Sequence, residues 1–191
     1  MEFSDVVRTR HMVRAFRDEP VDPEAVDRIV DAGLSAPSAG NTGAVSLVVV
    51  TEPARRVAIA EAAGEEEYAE RGFDRWLSGA PVHLVLVTSE RAYRDRYAEA
   101  DKGASDALSI PWWWVDAGAA LEAVLLAAVD EGLGAGFLGA HAIDGLDRIV
   151  GLPEGTTAVG VVTIGHPAPD RRSGSLGRDH GIRRHDEEWT P

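Results

Sequence analysis

The sequence predicts an α+β fold: a mixed β-sheet flanked by helices, with one long apolar helix at its centre. Three observations carry this. Runs rich in β-branched residues (AVSLVVV, PVHLVLV, TAVGVVTI) alternate with helical stretches. One stretch, Trp112 to Gly134, is apolar almost all round and so belongs inside. No G-x-G-x-x-G turn follows the first strand, where TEPARR stands instead, and this rejects a dinucleotide-binding doubly wound sheet.

The elements follow in order. Asp22-Pro23 reads as N-cap and first helical position, and Val26, Ile29 and Val30 then recur at helical spacing until about Gly33. The small polar stretch Ala36 to Asn41 (APSAGN) is an irregular loop. Ala44 to Val50 is a buried strand. Pro53 to Ala63 is alanine-rich and helical, and Glu65 to Leu77 reads as a second helix carrying Tyr68, Phe73, Trp76 and Leu77. Pro81 to Val87 is the next strand. Residues 89–110 change character: charged, tyrosine-bearing and weakly periodic, they predict a mobile, partly helical lid. Trp112 to Gly134 is the long helix, Ala135 to Ala140 a glycine-rich strand, Ile143 to Val150 a short helix and Thr157 to Ile164 the last core strand. Residues 168–191 form an extended polar tail.

With 191 residues the chain suits one core better than two, so 1–191 reads as a single domain. It has no cysteine, which excludes disulfides, thiolate metal sites and a cysteine nucleophile. A net charge of −13 argues against a nucleic-acid partner. Neither a signal-like start nor an apolar run of about 18 residues is evident, so no membrane partner and a cytoplasmic location are expected.

Against that acidic background Arg8, Arg10, His11 and Arg14 crowd into RTRHMVR. Arg8, Arg10 and Arg14 share a face in an extended segment. They serve either to pair with surface carboxylates such as Asp18 and Glu19 or to grip a phosphate. A second cluster, Arg171, Arg172, Arg178, Arg183 and Arg184, lies in the tail, and the two together fit one phosphate held by both termini. GLGAGFLGAH (Gly132 to His141) has no following Lys-Ser or Lys-Thr, so it is no phosphate loop; glycines in a strand mark close approach of backbone or a flat ligand. No histidine pair has zinc-helix spacing, and no metal site is expected; His185 to Glu188 reads as an exposed acidic tail. No serine-hydrolase elbow is present either. Three consecutive tryptophans, Trp112 to Trp114, cannot all face one core, so at least one lines a groove or an interface.

The opening RHMVRAFRDEPVDPEAVDRIVDAGLSAPSAGN resembles that of the nitroreductase superfamily of FMN-dependent oxidoreductases. VDAGAALEAVLLAAVDEGLGAGFLGAH resembles that family's central helix and glycine-rich strand, and LPEGTTAVGVVTIGHPAP its last core strand. The resemblance implies a nitroreductase-like sheet with the long helix at a homodimer interface and FMN bound between subunits. It implies that Arg10 clamps the FMN phosphate beside His11 and Met12, and that Arg14 lies near the pyrimidine edge. It implies that Pro37, Ser38 and Asn41 reach the flavin from the second subunit. Phe137, Leu138, Gly139 and Ala140 would pass along one ring face, with Arg178 as a second phosphate arginine. NADH or NADPH would supply hydride to flavin N5 for a small organic acceptor such as a nitroaromatic or quinone. No side chain need act as acid or base, because flavin carries the chemistry. The alternatives on the same scaffold are a specialised flavin reductase, oxidase or dehalogenase, or a flavin-binding protein without turnover. Two departures stand out: Met12 replaces the usual serine, and Thr42-Gly43-Ala44 replaces a glutamine-proline-aromatic stretch. The all-round apolar helix independently implies a homodimer, with Val124 and Leu125 expected in the two-fold contact.

Overall fold

The computed structural model describes residues 1–102 and 109–169. A first helix, α1 (Phe3–Thr9), precedes the arginine segment; it buries only Val6, and its seven residues are too few to show a period. α2 (Pro23–Leu34) begins where its signals lie: the Asp22 carboxylate accepts from the Glu24 amide at 3.1 Å, and Pro23 occupies a position that needs no amide donor. After the loop come β1 (Ser46–Val50) and α3 (Pro53–Ala62), which is capped by the Glu52 carboxylate. The single helix expected from Glu65 to Leu77 is in fact two, α4 (Glu65–Glu70) and α5 (Trp76–Gly79). The chain breaks at Gly72, whose φ of 86° is left-handed and ends a helix. Next are β2 (Val82–Thr88) and α6 (Glu90–Tyr97), the latter capped by Ser89 Oγ accepting from Ala92 N at 3.2 Å. α6 occupies the start of the expected lid; residues 103–108 of that segment lie outside the described residues. α7 (Trp112–Asp130), β3 (Gly134–Gly139), α8 (Leu146–Val150) and β4 (Thr157–Gly165) follow.

The strands lie in the order β1-β2-β4-β3, and all three pairings are antiparallel. Among the described residues the parallel component expected of a mixed sheet is confined to an isolated bridge between Met12 and Ala135. β2 is buried along its whole length because helices cover both faces. Strand alternation divides its side chains accordingly. Leu84 packs with Ile29 of α2 and Val124, Leu125 and Ala128 of α7. Val85 and Val87 pack on the other face with Ile59 of α3 and Leu146 of α8. Each of these large side chains contributes about 1.5–3 kcal/mol of burial.

By length and mean hydropathy (1.4) α7 matches a membrane-crossing helix, but here it is the central core helix, clasped by α2, β2 and β3. Val124 and Leu125, expected at a two-fold contact, are 0% and 3% exposed inside the chain's own core. The face of α7 left open instead carries Trp114 and Val115, 45% and 50% exposed. The tryptophan triplet divides as its helical positions require: Trp112 and Trp113 half-buried, Trp114 outward.

Candidate functional site

Two groups of residues form at two places along α7. The first is built on the segment that follows α1. Arg10 closes that helix, its amide donating to the Val6 carbonyl at 3.0 Å. The backbone then runs extended along β3, with Val13 N donating to the Ala135 carbonyl at 2.8 Å. Gly136 makes this approach possible. A Cβ there would collide with the Val13 carbonyl and stand 2.8 Å from Cζ3 of Trp76. The structure therefore brings Met12 beside the strand that carries Phe137, Leu138 and Gly139, and Ala140 follows directly. Phe137 to Ala140 are all half-buried, so this end of β3 is open on one side.

The charged side chains of this group already have partners. Arg10 Nε lies 3.6 Å from the Glu122 carboxylate of α7. Arg14 lies over the indole of Trp76, 5.8 Å from the ring centroid. His11 is exposed, and its Nδ1 is 2.9 Å from the Thr9 carbonyl. Arg8 does not join them: it sits in the last turn of α1 and pairs with Asp5 at 2.6 Å. Arg178 lies outside the described residues, with the rest of the tail cluster.

Behind Trp76 stands a scaffold that periodicity does not reveal. The buried Glu65 carboxylate accepts from Leu77 N at 2.6 Å and from Ser78 N. The buried His83 ring lies with Nε2 2.7 Å from the Leu77 carbonyl. Burial pushes the His83 pKa down to about 4. Leu77 is thus held at both its amide and its carbonyl, which fixes its neighbour Trp76 and the Arg14 resting on it.

The second group is the loop 36–43. Pro37 and Asn41 are exposed and Ser38 is half-buried. Beneath them Asp116, buried in the second turn of α7, faces Tyr93 of α6. The Tyr93 hydroxyl is pushed up to about 12, first by burial and then by its bond to Asp116. Neither residue stands out in the sequence as a site residue; the one available signal is an acid, Asp116, set in an apolar stretch of helix. A cavity of about 50 Å³ opens beside Asp116, lined by Leu34, Pro37, Ser38, Gly43 and Val45.

The donor chemistry fits a phosphate-bearing flavin. Arg10 already takes an anionic oxygen as its partner, and the glycine-rich strand end is half-buried, with glycine at 139. The cavity itself holds only a water or two, far below the several hundred Å³ that a flavin needs. Asp116 and Glu122, which mark the two groups on α7, are six residues apart. That is about 9 Å along the helix and about 120° around it. The two groups thus face different sides of α7. Among the described residues no cluster of three or more metal-ligating side chains occurs.

The model of the nitroreductase family matches residues 7–166. A Bacillus subtilis protein named FMN reductase [NAD(P)H] is 31% identical over 164 residues, covering 82% of this chain and 62% of that protein. A Staphylococcus aureus NADPH-dependent oxidoreductase is 24% identical, covering 91% of this chain and 68% of that one. Among solved structures, the hypothetical oxidoreductase YcnD of Bacillus subtilis superposes with a TM-score of 0.77 at 27% identity, over 100% of this chain and 76% of the other. The NADPH:FMN oxidoreductase of Vibrio harveyi, solved with NAD+, shares the fold with a TM-score of 0.74 at 23% identity, over 99% and 78%. With a family model spanning most of its length and the fold of that family's solved members, the chain belongs to the nitroreductase family.

Proposed function

We propose that this chain, as one FMN-binding domain over residues 1–191, forms a homodimer in the cytoplasm. It would take hydride from NADH or NADPH and pass it to a small organic acceptor such as a nitroaromatic or quinone. The observation that carries the reading is the seating of the Arg10–Arg14 segment directly on the glycine-rich strand, through the Val13–Ala135 hydrogen bond and the space left by Gly136. FMN, when bound, supplies the hydride acceptor at N5.

The chain's own residues bind and orient. Arg10 releases Glu122 and takes the phosphate, with His11 and Met12 alongside. Arg14, steadied by the Trp76 ring, places a positive charge at the pyrimidine edge and so favours the reduced flavin. Phe137, Leu138, Gly139 and Ala140 form the floor beneath the ring. Pro37, Ser38 and Asn41 reach over from the second subunit, and Arg178 adds a second phosphate contact from the tail. The exposed Trp114 and Val115 of α7 supply apolar surface for the two-fold contact. The relative named FMN reductase supports a narrower variant in which free flavin is itself an acceptor.

The test is direct. Protein expressed with ample flavin should be yellow, release FMN rather than FAD on denaturation, and bleach anaerobically with NADH or NADPH. Reduction by dithionite alone would overturn the assigned hydride donor, and absence of flavin would overturn the whole reading.

A further inference from the structure

We infer that Asp116 and Tyr93 are positioning residues, which fix the loop 36–43 in the shape that presents Pro37, Ser38 and Asn41 to the flavin. The inference rests on the flavin reading above. Asp116 is 6% exposed in an otherwise apolar stretch of helix. A carboxylate is tolerated there only if donors meet it. Two converge on its Oδ2: the Ala39 amide at 2.7 Å and the Tyr93 hydroxyl at 2.6 Å. The same hydroxyl is 3.5 Å from Ser38 Oγ, which in turn accepts from Gly43 N at 2.9 Å. From α6, Arg96 Nε donates to the Gly40 carbonyl at 3.0 Å, and the Tyr97 ring lies directly under Gly40. One acid thus ties the loop to two helices.

The loop has need of this. Gly40, Asn41 and Gly43 have φ of 66°, 54° and 63°, and Asn41 is the only non-glycine residue with positive φ among the described residues. The two glycines adopt this conformation freely, whereas at Asn41 it persists where surrounding contacts hold it. If the loop serves the flavin of a neighbouring chain, its shape must be set before that chain arrives. Neither Asp116 nor Tyr93 is needed at the flavin for this. Each acts through Ala39 and Ser38.

The experiment uses the full chain, flavin-free, in four forms: wild type, Asp116→Ala, Asp116→Asn and Tyr93→Phe. Amide exchange of a peptide spanning residues 36–43 reports the loop, and quenching of FMN fluorescence reports affinity. In Asp116→Ala the loop amides should exchange at least about tenfold faster, and FMN should bind roughly tenfold to a hundredfold more weakly. Asp116→Asn keeps an acceptor where Oδ2 stood and should restore both to within about threefold of wild type. Tyr93→Phe should fall between. A folded Asp116→Ala protein with wild-type exchange and affinity overturns the inference. If that variant does not fold, Tyr93→Phe decides by the same two readings. If the wild type binds no FMN while Asp116→Ala still frees the loop, the flavin reading fails and the clamp stands.

Discussion

His83 makes the fold sensitive to acid, by an amount that the structure sets. It stands in the central strand β2, 0% exposed. Its Nε2 faces the Leu77 carbonyl at 2.7 Å. A carbonyl can only accept, so Nε2 carries the proton and Nδ1 presents a bare lone pair. Nδ1 is buried without a hydrogen-bond partner. A second proton would therefore bury a cation that nothing receives, with Arg56 near enough to repel it. Burial dominates, the Leu77 hydrogen bond opposes it in part, and the pKa falls from 6.5 to about 4. Between those values the unfolded chain binds a proton that the folded chain refuses. Stability is thus complete above about pH 6.5 and declines as the pH falls toward 4. The gap corresponds to ~3 kcal/mol, a large part of the ~5–15 kcal/mol that holds a typical domain. His83→Gln keeps a donor for Leu77 and cannot charge. Urea unfolding of both proteins between about pH 4 and 7.5 isolates the effect, because acid-sensitive pairs such as Arg96–Asp101 and Arg28–Glu131 are common to both. The wild type should lose ~3 kcal/mol more than His83→Gln over that range. A pH-independent difference between the two would refute the reasoning.

Three other outcomes are expected. Arg10→Ala should weaken FMN binding roughly tenfold to a hundredfold, whereas Arg17→Ala, which loses only a surface pair with Glu19, should leave it unchanged in the same titration. Val115→Asp on the open face of α7 should give a folded monomer by sedimentation at micromolar concentration and circular dichroism, while Leu125→Asp should unfold the chain; a dimeric Val115→Asp would exclude that face as the contact. Gly136→Ala should cost ~1–3 kcal/mol in urea unfolding, because its methyl group meets the Val13 carbonyl and the Trp76 ring; a neutral result would show that the segment can lift from β3 freely.

Much of the scaffold was legible because its signals are local. Asp22-Pro23 starts α2, and β-branched runs mark β1, β2 and β4 to within two residues. What escaped is non-local. The split of the 65–77 segment falls at Gly72, but the seat of its second piece is set by Glu65, which reaches twelve residues along the chain to the amide of Leu77. The first helix is too short to announce itself, and its presence separates Arg8 from Arg10. A helix apolar all round does not say which side its own sheet will take, so Val124 and Leu125, which the sequence offers for an interface, lie in the core. At the candidate site, the neighbourhood of Met12 and the glycine strand was readable by resemblance, whereas Trp76, Tyr93 and Asp116 gain meaning only from the partners that the fold gives them.

The strand order carries a consequence for synthesis of the chain. β2 is flanked by β1, made before it, and by β4, the last strand of the described residues. Thr88 pairs with Thr157 and Val82 with Ile164, so the innermost seam of the sheet joins segments about seventy to eighty residues apart. While a ribosome is still making α7, the seven residues of β2 have one hydrogen-bonded edge satisfied and the other bare, above a helix whose own apolar surface lacks its cover. The sheet cannot close until β4 has left the exit tunnel. Through that interval the nascent chain offers an unpaired, largely apolar strand edge to its surroundings, the form of exposure that holdase chaperones bind.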